Sequence, residues 1–335
     1  MMQSELGKRN RNRLPPLQSE MGTETENRQS QPPVLITIHY TQVGKQTIYR
    51  PVEGTSRTMY TPYLVNKYIL ASTHGWQVLV DKIKGDCLLW NPRYNDTIKL
   101  PRLQSFHSYR KCVLSKPPTE PDCHILFNSD SLFQQAFCRI GDVEFVYQSH
   151  TTEVDYQLLA IASFQDKIYG VIKPGYIFVT IEFVGRTMEC RPILVDGEHP
   201  LKAPVIKRNW HVWNELDLID SHKDNELLFV RKEFTQEYIR DGSEISVFRV
   251  DINRMECIEV DDIGDQVILI GQYGTGFCCS SAGTNTLKPN SIYYIIKSDS
   301  CIYVYDLDDK STTAWLPSPD VADLHHLNHF WVSGK

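Results

Sequence analysis

No apolar run in this 335-residue chain approaches the ~20 residues needed to span a bilayer as a helix. The N-terminus has no apolar core of the kind a secretory signal needs. It carries Lys8, Arg9, Arg11 and Arg13, but Glu5, Glu20, Glu24 and Glu26 break the acid-poor pattern of an organelle transit peptide. Lys8–Arg13 reads as a solvated tail rather than a nuclear signal. A basic excess is missing too. The formal net charge is −6 and the pI about 6.0, so the footprint of a duplex nucleic-acid binder is absent from the total. No Cys-x-x-Cys spacing occurs among the nine cysteines, which argues against a zinc ribbon or a thioredoxin-type site. Helical spacing is scarce. The best short helix candidates are Tyr63–Tyr68 and Asp320–Asn328.

Many short strands fill the rest. Residues 1–33 are rich in Glu, Gln, Ser, Arg, Asn and Pro and have no period, so they are expected to be a disordered polar tail. From 34 to 331, runs of four to eight residues rich in β-branched and aromatic types alternate with Gly, Asp and Asn. Val34–Ile38, Trp76–Val80, Val143–Tyr147, Tyr176–Ile181, Glu226–Val230, Val267–Ile270 and Ile302–Tyr305 are among them. Tyr (17) and Phe (13) suit such pleated, half-buried surfaces. The odd number of cysteines, mostly inside apolar runs such as Asp86-Cys87-Leu88-Leu89-Trp90, is expected to remain as reduced, buried thiols. Cytosol or nucleus is the expected compartment.

A unit recurs. Cys87–Trp90, a polar turn and Ile98–Pro101 match Cys301–Tyr305, a turn and Ala314–Pro317. Ile245–Val250, the turn Asp251–Met255 and Glu256–Val260 form a looser copy. One hairpin cannot bury its own face, so copies must pack on neighbours. Such hairpins over about 300 residues predict an all-β fold, a β-propeller of about six or seven blades. Two stacked β-sandwiches are the structural alternative.

Several segments then carry a resemblance. They are Thr73-His74-Gly75-Trp76, Leu89-Trp90-Asn91-Pro92, Lys111–Ser115 with Pro117-Pro118 and Pro121-Asp122-Cys123, and Ala136–Arg139 with Gly141-Asp142. Lys167–Gly170, Leu227–Arg231, Asp262–Asp265, Ile268–Gly271 and Lys288–Tyr293 follow in order. Together they resemble the plant KIB-type β-propeller family, a domain often found after an F-box, over about residues 34–331. The resemblance implies a propeller that recognises a protein. In members with an F-box, a helical segment docks the Skp–cullin ubiquitin ligase. Residues 1–33 are too short and too polar for that three-helix unit, so a Skp-type adaptor is not an expected partner.

Motifs for chemistry are weak. Gly-x-Ser-x-Gly is absent, and Ser280-Ser281-Ala282-Gly283 reads as a turn. His325 and His329 would lie one helical turn apart, but two ligands do not make a metal site. The acidic run Asp217–Glu226 has no Gly for a calcium loop and reads as a solvated hairpin tip. Gly271–Gly276 precedes an apolar strand rather than a helix, so it reads as a hairpin turn, not a phosphate loop. Asn95-Asp96-Thr97 matches a glycosylation acceptor that an intracellular protein would not use. Trp76 and Trp90 are expected between blades rather than on a ligand, with His74 beside them in sequence. The expectation is therefore a non-enzymatic interaction module with no catalytic residue, metal or cofactor, and with a protein as partner rather than nucleic acid or membrane. It should show an exposed aromatic or Arg cluster on one propeller face. The alternative is a propeller enzyme with carboxylates or His converging on the central channel. An organelle-targeted propeller is a third reading.

Overall fold

A computed structural model describes residues 31–39, 44–51, 53–129, 134–149, 156–204, 212–221, 226–235, 244–271, 276–281, 287–296, 301–315 and 327–334. The strands form six blades, here I to VI. Blades II to V are antiparallel meanders of four strands each. Their inner strands are Lys67–Thr73, Tyr109–Leu114, Gln157–Phe164 and Val212–Ser221. These first strands approach one another from blade to blade, so they line the axis. A small ribbon, Leu194–Val195 with His199–Pro200, follows blade IV. The closed ring excludes stacked sandwiches.

Blade I joins the two ends of the ring. Its inner strand is Leu327–Gly334, paired antiparallel with Gln31–His39 so that Leu35 faces Trp331 and Val34 faces Val332. Lys45–Arg50 and Thr55–Tyr60 complete it. The first strand thus starts at Gln31, inside the stretch read as tail. Residues 1–30 lie outside the described residues. Blade VI breaks the meander. Its five strands run, from the inner edge, Gly276–Ser280, Gln266–Ile270, Ser291–Ile295, Ile302–Asp306 and Thr312–Trp315, and the second and third are parallel.

Alternation explains why the blades need each other. In Trp76–Asp81, residues Trp76, Val78 and Val80 face blade III, while Leu79 faces blade I. Both faces are buried, so the strand reads as a continuous apolar run. The described buried residues form six clusters, one for each pair of neighbouring blades around the ring. Each fully buried Leu, Val or Phe in them contributes on the order of 2 kcal/mol. Trp76 packs between blades II and III, and Trp90 between I and II, where Tyr63 stacks on it at 5.7 Å.

The repeated unit occupies strands three and four of blades II and V and the two outermost strands of blade VI. An Asn or Asp ends the first strand of each unit and holds the turn. Asn91 Oδ1 accepts from the N–H groups of Arg93 and Tyr94. Asp251 Oδ1 accepts from Asn253 and Arg254, and Asp306 Oδ1 from Asp308. Four residues after each lies a left-handed residue: Asn95, Met255 and Lys310. Short Asx side chains mimic a backbone turn, which is why this position recurs.

Two local expectations change. Tyr63–Tyr68 is not a helix: a single 3-10 turn spans Pro62–Leu64, and a strand begins at Lys67. Asn66 at φ +55 ends the turn, and Tyr68 to Thr73 join the sheet ladder. Of Asp320–Asn328, residues 320–326 lie outside the described residues, and Leu327 and Asn328 are strand. Val143 is not strand either. It is 93% exposed in the turn before Val146–Ser149.

Candidate functional site

Four charged side chains meet where the inner strands of blades III, IV and V come together. Lys111 sits on the inner strand of blade III. Its Nζ donates to Leu159 O of blade IV (3.0 Å), to Leu216 O of blade V (2.6 Å) and to Asp217 Oδ1 (3.3 Å). Lys232, on the second strand of blade V, lies 2.8 Å from Glu215 Oε2 and 3.2 Å from Asp217 Oδ2. Lys232 and Asp217 are each 2% exposed. Two cations meet two anions, of which Asp217 is buried and Glu215 is exposed.

The pair energetics fix the protonation states. Burial pushes the Asp217 carboxyl up, but Lys232 and Lys111 outweigh it and hold the group below the usual carboxylate range. Burial pushes Lys232 down, but Glu215 and Asp217 hold it above the usual lysine range. A general acid or base needs a pKa near the working pH, and both groups are driven away from it. The inner strands are clasped here across three blades.

Other candidates separate. Ser280 Oγ donates to Asp265 Oδ2 at 2.5 Å, and Ser281 Oγ to Asp265 O at 2.8 Å. Ser280 ends a strand; Ala282 and Gly283 lie outside the described residues, as do 272–275 of the Gly271–Gly276 segment. His325 is not described, and His329 belongs to a strand, opposite Thr37, so the helical spacing proposed for that pair does not hold at its second member. Asp217 is not at a solvated tip. It is buried mid-strand, and residues 222–225 are the undescribed turn. His74 is exposed at a hairpin tip. Among the described residues, no group of three or more His, Cys, Asp or Glu is placed to hold a metal ion. All nine cysteines are free.

A second feature lies on the turns. A four-stranded antiparallel meander returns to the end at which it began, so the turns between strands three and four of successive blades share one end of the ring. In blades I to V an arginine stands in this turn or at the strand end that opens it: Arg93, Arg186 and Arg254 lie in the turns, and Arg50 and Arg139 end the third strands of blades I and III. Arg186 is 72% exposed and Arg254 78%. Their acid partners are on the surface as well. Arg186 reaches Glu144 of blade III at 2.8 Å, Arg139 reaches Asp122 at 3.2 Å, and the Arg93 guanidinium lies over the Tyr94 ring at 5.5 Å. Exposed pairs of this kind are worth about 0–1 kcal/mol, so they exchange partners at little cost. Tyr94, Val143 and Val184 are exposed on the same turns.

The family model described as the KIB1-4 beta-propeller matches residues 48–317. The chain belongs to that family. No curated protein matches the KIB1-4 chain. Among solved structures, one of a nidogen/laminin complex is 8% identical, with 89% of this chain and 98% of that chain covered and a TM-score of 0.43. The Cps50 (Swd1) β-propeller domain of Myceliophteria thermophila is 11% identical, with 85% and 86% covered and a TM-score of 0.38. AztD from Citrobacter koseri is 10% identical, with 90% and 98% covered and a TM-score of 0.37. Likenesses of this depth fix neither ligand nor function.

In this KIB1-4 propeller the charged clasp carries a faint sequence signal. Glu215 and Asp217 interrupt an alternating apolar strand, Lys232 follows Leu227–Arg231, and Lys111 opens an apolar run. A charge in the middle of such a run needs a partner. The arginines give no signal until the blades are counted, because each one alone is an ordinary turn residue.

Proposed function

We propose that this KIB1-4 propeller is a non-enzymatic protein-interaction module that meets its partner with the arginine-bearing turns. One observation carries the reading: five successive blades each place an arginine in the turn between strands three and four or at the strand end that opens it, beside exposed Tyr94, Val143 and Val184. Arg and Tyr are enriched among residues that dominate binding energy, and the arginine fork matches carboxylates in two contacts. The partner is accordingly a protein that presents carboxylates among apolar side chains. The clasp supports the non-enzymatic part, since Asp217 and Lys232 are held away from neutral pH. A role in substrate recognition or regulation around F-box ubiquitin ligases, in cytosol or nucleus, is the finer form of the proposal. It rests on family resemblance.

The test is affinity purification of the full chain followed by direct binding of each purified partner. Replacing Arg93, Arg139, Arg186 and Arg254 by Glu should weaken binding at least tenfold with the fold intact. Lys84→Glu, at the other end of the ring, should leave it unchanged. A partner that binds both variants as tightly as wild type would refute the assigned face. A reproducible chemical turnover would refute the module.

A further inference from the structure

The end of the ring opposite the arginines carries a different surface. In blade I, Lys45 opens the third strand and Tyr60 closes the fourth, directly across from it. In blade II, the turn Lys82–Gly85 joins strands two and three, and Arg102 closes strand four. A four-stranded meander puts all of these at one end. Two large side chains stand out there: Tyr60 is 63% exposed and Ile83 73%.

Both are held by the backbone beneath them. Asp81 Oδ1 accepts from the N–H groups of Ile83 and Lys84 at 2.9 and 2.8 Å, and Lys82 N donates to Asn66 O at 2.8 Å. Gly85 N donates to Asp81 O, and Leu103 N to Gly85 O. Gly85 has φ +74, and a Cβ there would come within 2.4 Å of Leu103 O, so the turn admits glycine alone. Arg102 Nε donates to Lys84 O at 2.5 Å, which fixes a guanidinium beside the turn. The Tyr60 ring lies on Gly44, where an added Cβ would come within 2.5 Å of it. Val65 meets the same glycine, and the next residue, Asn66, holds Lys82. One run of contacts thus links Tyr60 to Ile83 across the seam between blades I and II.

The charge here departs from that of the chain. Lys45, Lys67, Lys82, Lys84 and Arg102 stand against Asp81 and Asp86, so this end of the two blades is basic although the net charge is −6. Asp81 uses Oδ1 on the turn, and its Oδ2 lies 3.8 Å from Lys67. The Lys82 amine lies over the Tyr68 ring, 5.1 Å from its centroid. Lys45, Lys84 and Arg102 are then the cations around Tyr60 and Ile83.

We propose that this end is a peripheral docking surface for an anionic lipid bilayer. Ile83 and Tyr60 enter the headgroup layer, and Lys45, Lys84 and Arg102 meet lipid phosphates. Shape and charge favour a bilayer over a protein. Ile83 is a single apolar side chain at the tip of a rigid turn, so a protein would need a matching pocket for it, whereas a headgroup layer deforms around it. A Tyr ring, with an apolar body and a polar tip, suits the same layer. Each basic side chain near an anionic surface contributes about a fivefold gain in binding. Three of them with one Ile give a reversible, salt-sensitive contact. The arginine-bearing turns then face away from the bilayer and stay open to a protein partner, on which this contact does not depend.

The experiment floats the full chain with phosphatidylcholine vesicles made with or without about 30% phosphatidylserine. The chain should float with the anionic vesicles alone, and salt at about 1 M should release it, because the screening length falls to about 3 Å. Lys84→Glu should weaken binding at least about fivefold. Ile83→Ser should weaken it and Ile83→Trp strengthen it; both sit at an exposed position whose side chain takes no part in the turn. Lys310→Glu makes the same charge change at the arginine end and should leave flotation unchanged. Absence of flotation with the anionic vesicles overturns the proposal. So does an equal loss in Lys310→Glu and Lys84→Glu, since overall charge would then be the cause, or an Ile83→Trp chain that binds no better than wild type. Capture on polyglutamate beads without flotation would assign the surface to an acidic protein and equally refute the bilayer.

Discussion

Lys232 stands directly opposite Glu215 across the first two strands of blade V and reaches diagonally to Asp217, with its ammonium 2.8 and 3.2 Å from the two carboxylates. Asp217 in turn holds Lys111 of blade III. Asp217→Asn leaves Lys232 with the exposed Glu215 carboxylate and Lys111 with the carbonyls of Leu159 and Leu216. The expected loss is about 3–5 kcal/mol, read by urea unfolding. Replacing Asp217 and Lys232 together by Leu and Met should cost less than Asp217→Asn alone. A loss under about 1 kcal/mol for Asp217→Asn would show that the clasp is not structural.

The same site sets a pH dependence. Asp217 is held below its unfolded pKa of about 3.9, so its contribution is present above that value and is lost as pH falls through the folded one. Lys232 is held above its unfolded value of about 10.4, so its contribution is present below that pH and is lost only as pH rises through the folded value. Between about pH 5 and 10 the clasp adds no slope. Wild type and Asp217→Asn should therefore differ by a constant amount across that range and converge in acid. Unfolding midpoints at a series of pH values decide it.

Gln148 of blade III bonds both backbone groups of Met188 in blade IV: its Nε2 donates to Met188 O at 2.9 Å, and its Oε1 accepts from Met188 N at 2.8 Å. One side-chain amide thus extends the hydrogen-bond ladder between the outermost strands of two blades. Gln148→Ala should cost about 1–2 kcal/mol, because water reaches this half-buried site and limits the penalty. Gln148→Glu keeps the acceptor, loses the donor and sets a carboxylate against Met188 O. It should fall below Gln148→Ala in a thermal melt at neutral pH.

Lys310 adopts φ +57 at the turn of blade VI, where a side chain is strained. Its surface contact with Asp261, 2.6 Å at an 80% exposed carboxylate, is worth little. Lys310→Gly should therefore stabilise the fold by about 0.5–1 kcal/mol, seen as a raised denaturation midpoint. Asp306→Ala, which removes the acceptor for Asp308 N–H, should do the opposite.

Cys87, Cys112 and Cys138 share the core between blades II and III. Burial pushes the Cys87 thiol up to about 12, and raises Cys112 and Cys138 as well. The thiolate is the reactive form, so these three should resist iodoacetamide in the native state at pH 8 and react at once in urea. Peptide mapping reads the outcome.

Much of this was visible before folding. The runs at Trp76–Val80, Cys87–Trp90, Val267–Ile270 and Ile302–Tyr305 are strands because apolar, β-branched and aromatic residues cluster between turn formers. The recurrence of Asn91, Asp251 and Asp306 is a turn chemistry that one chain can display unaided. The misreadings had local causes. Pro62 opens a helical turn, but Asn66 closes it at once, and period counting does not weigh a left-handed residue. Asp217 reads as part of the acidic tip because acids follow it in sequence, although alternation sets it on a buried strand.

The chain itself dictates that its hairpins are apolar on both faces and must stack, because a strand with two apolar sides cannot stay in water alone. Blade number, and the closure of blade I by strands from both ends, came only with three-dimensional packing. So did the meeting of Lys111 with Asp217, 106 positions apart, and the gathering of five arginines at one end of the ring. Those relations depend on how twisted sheets pack round an axis, and distance along the chain carries no record of it.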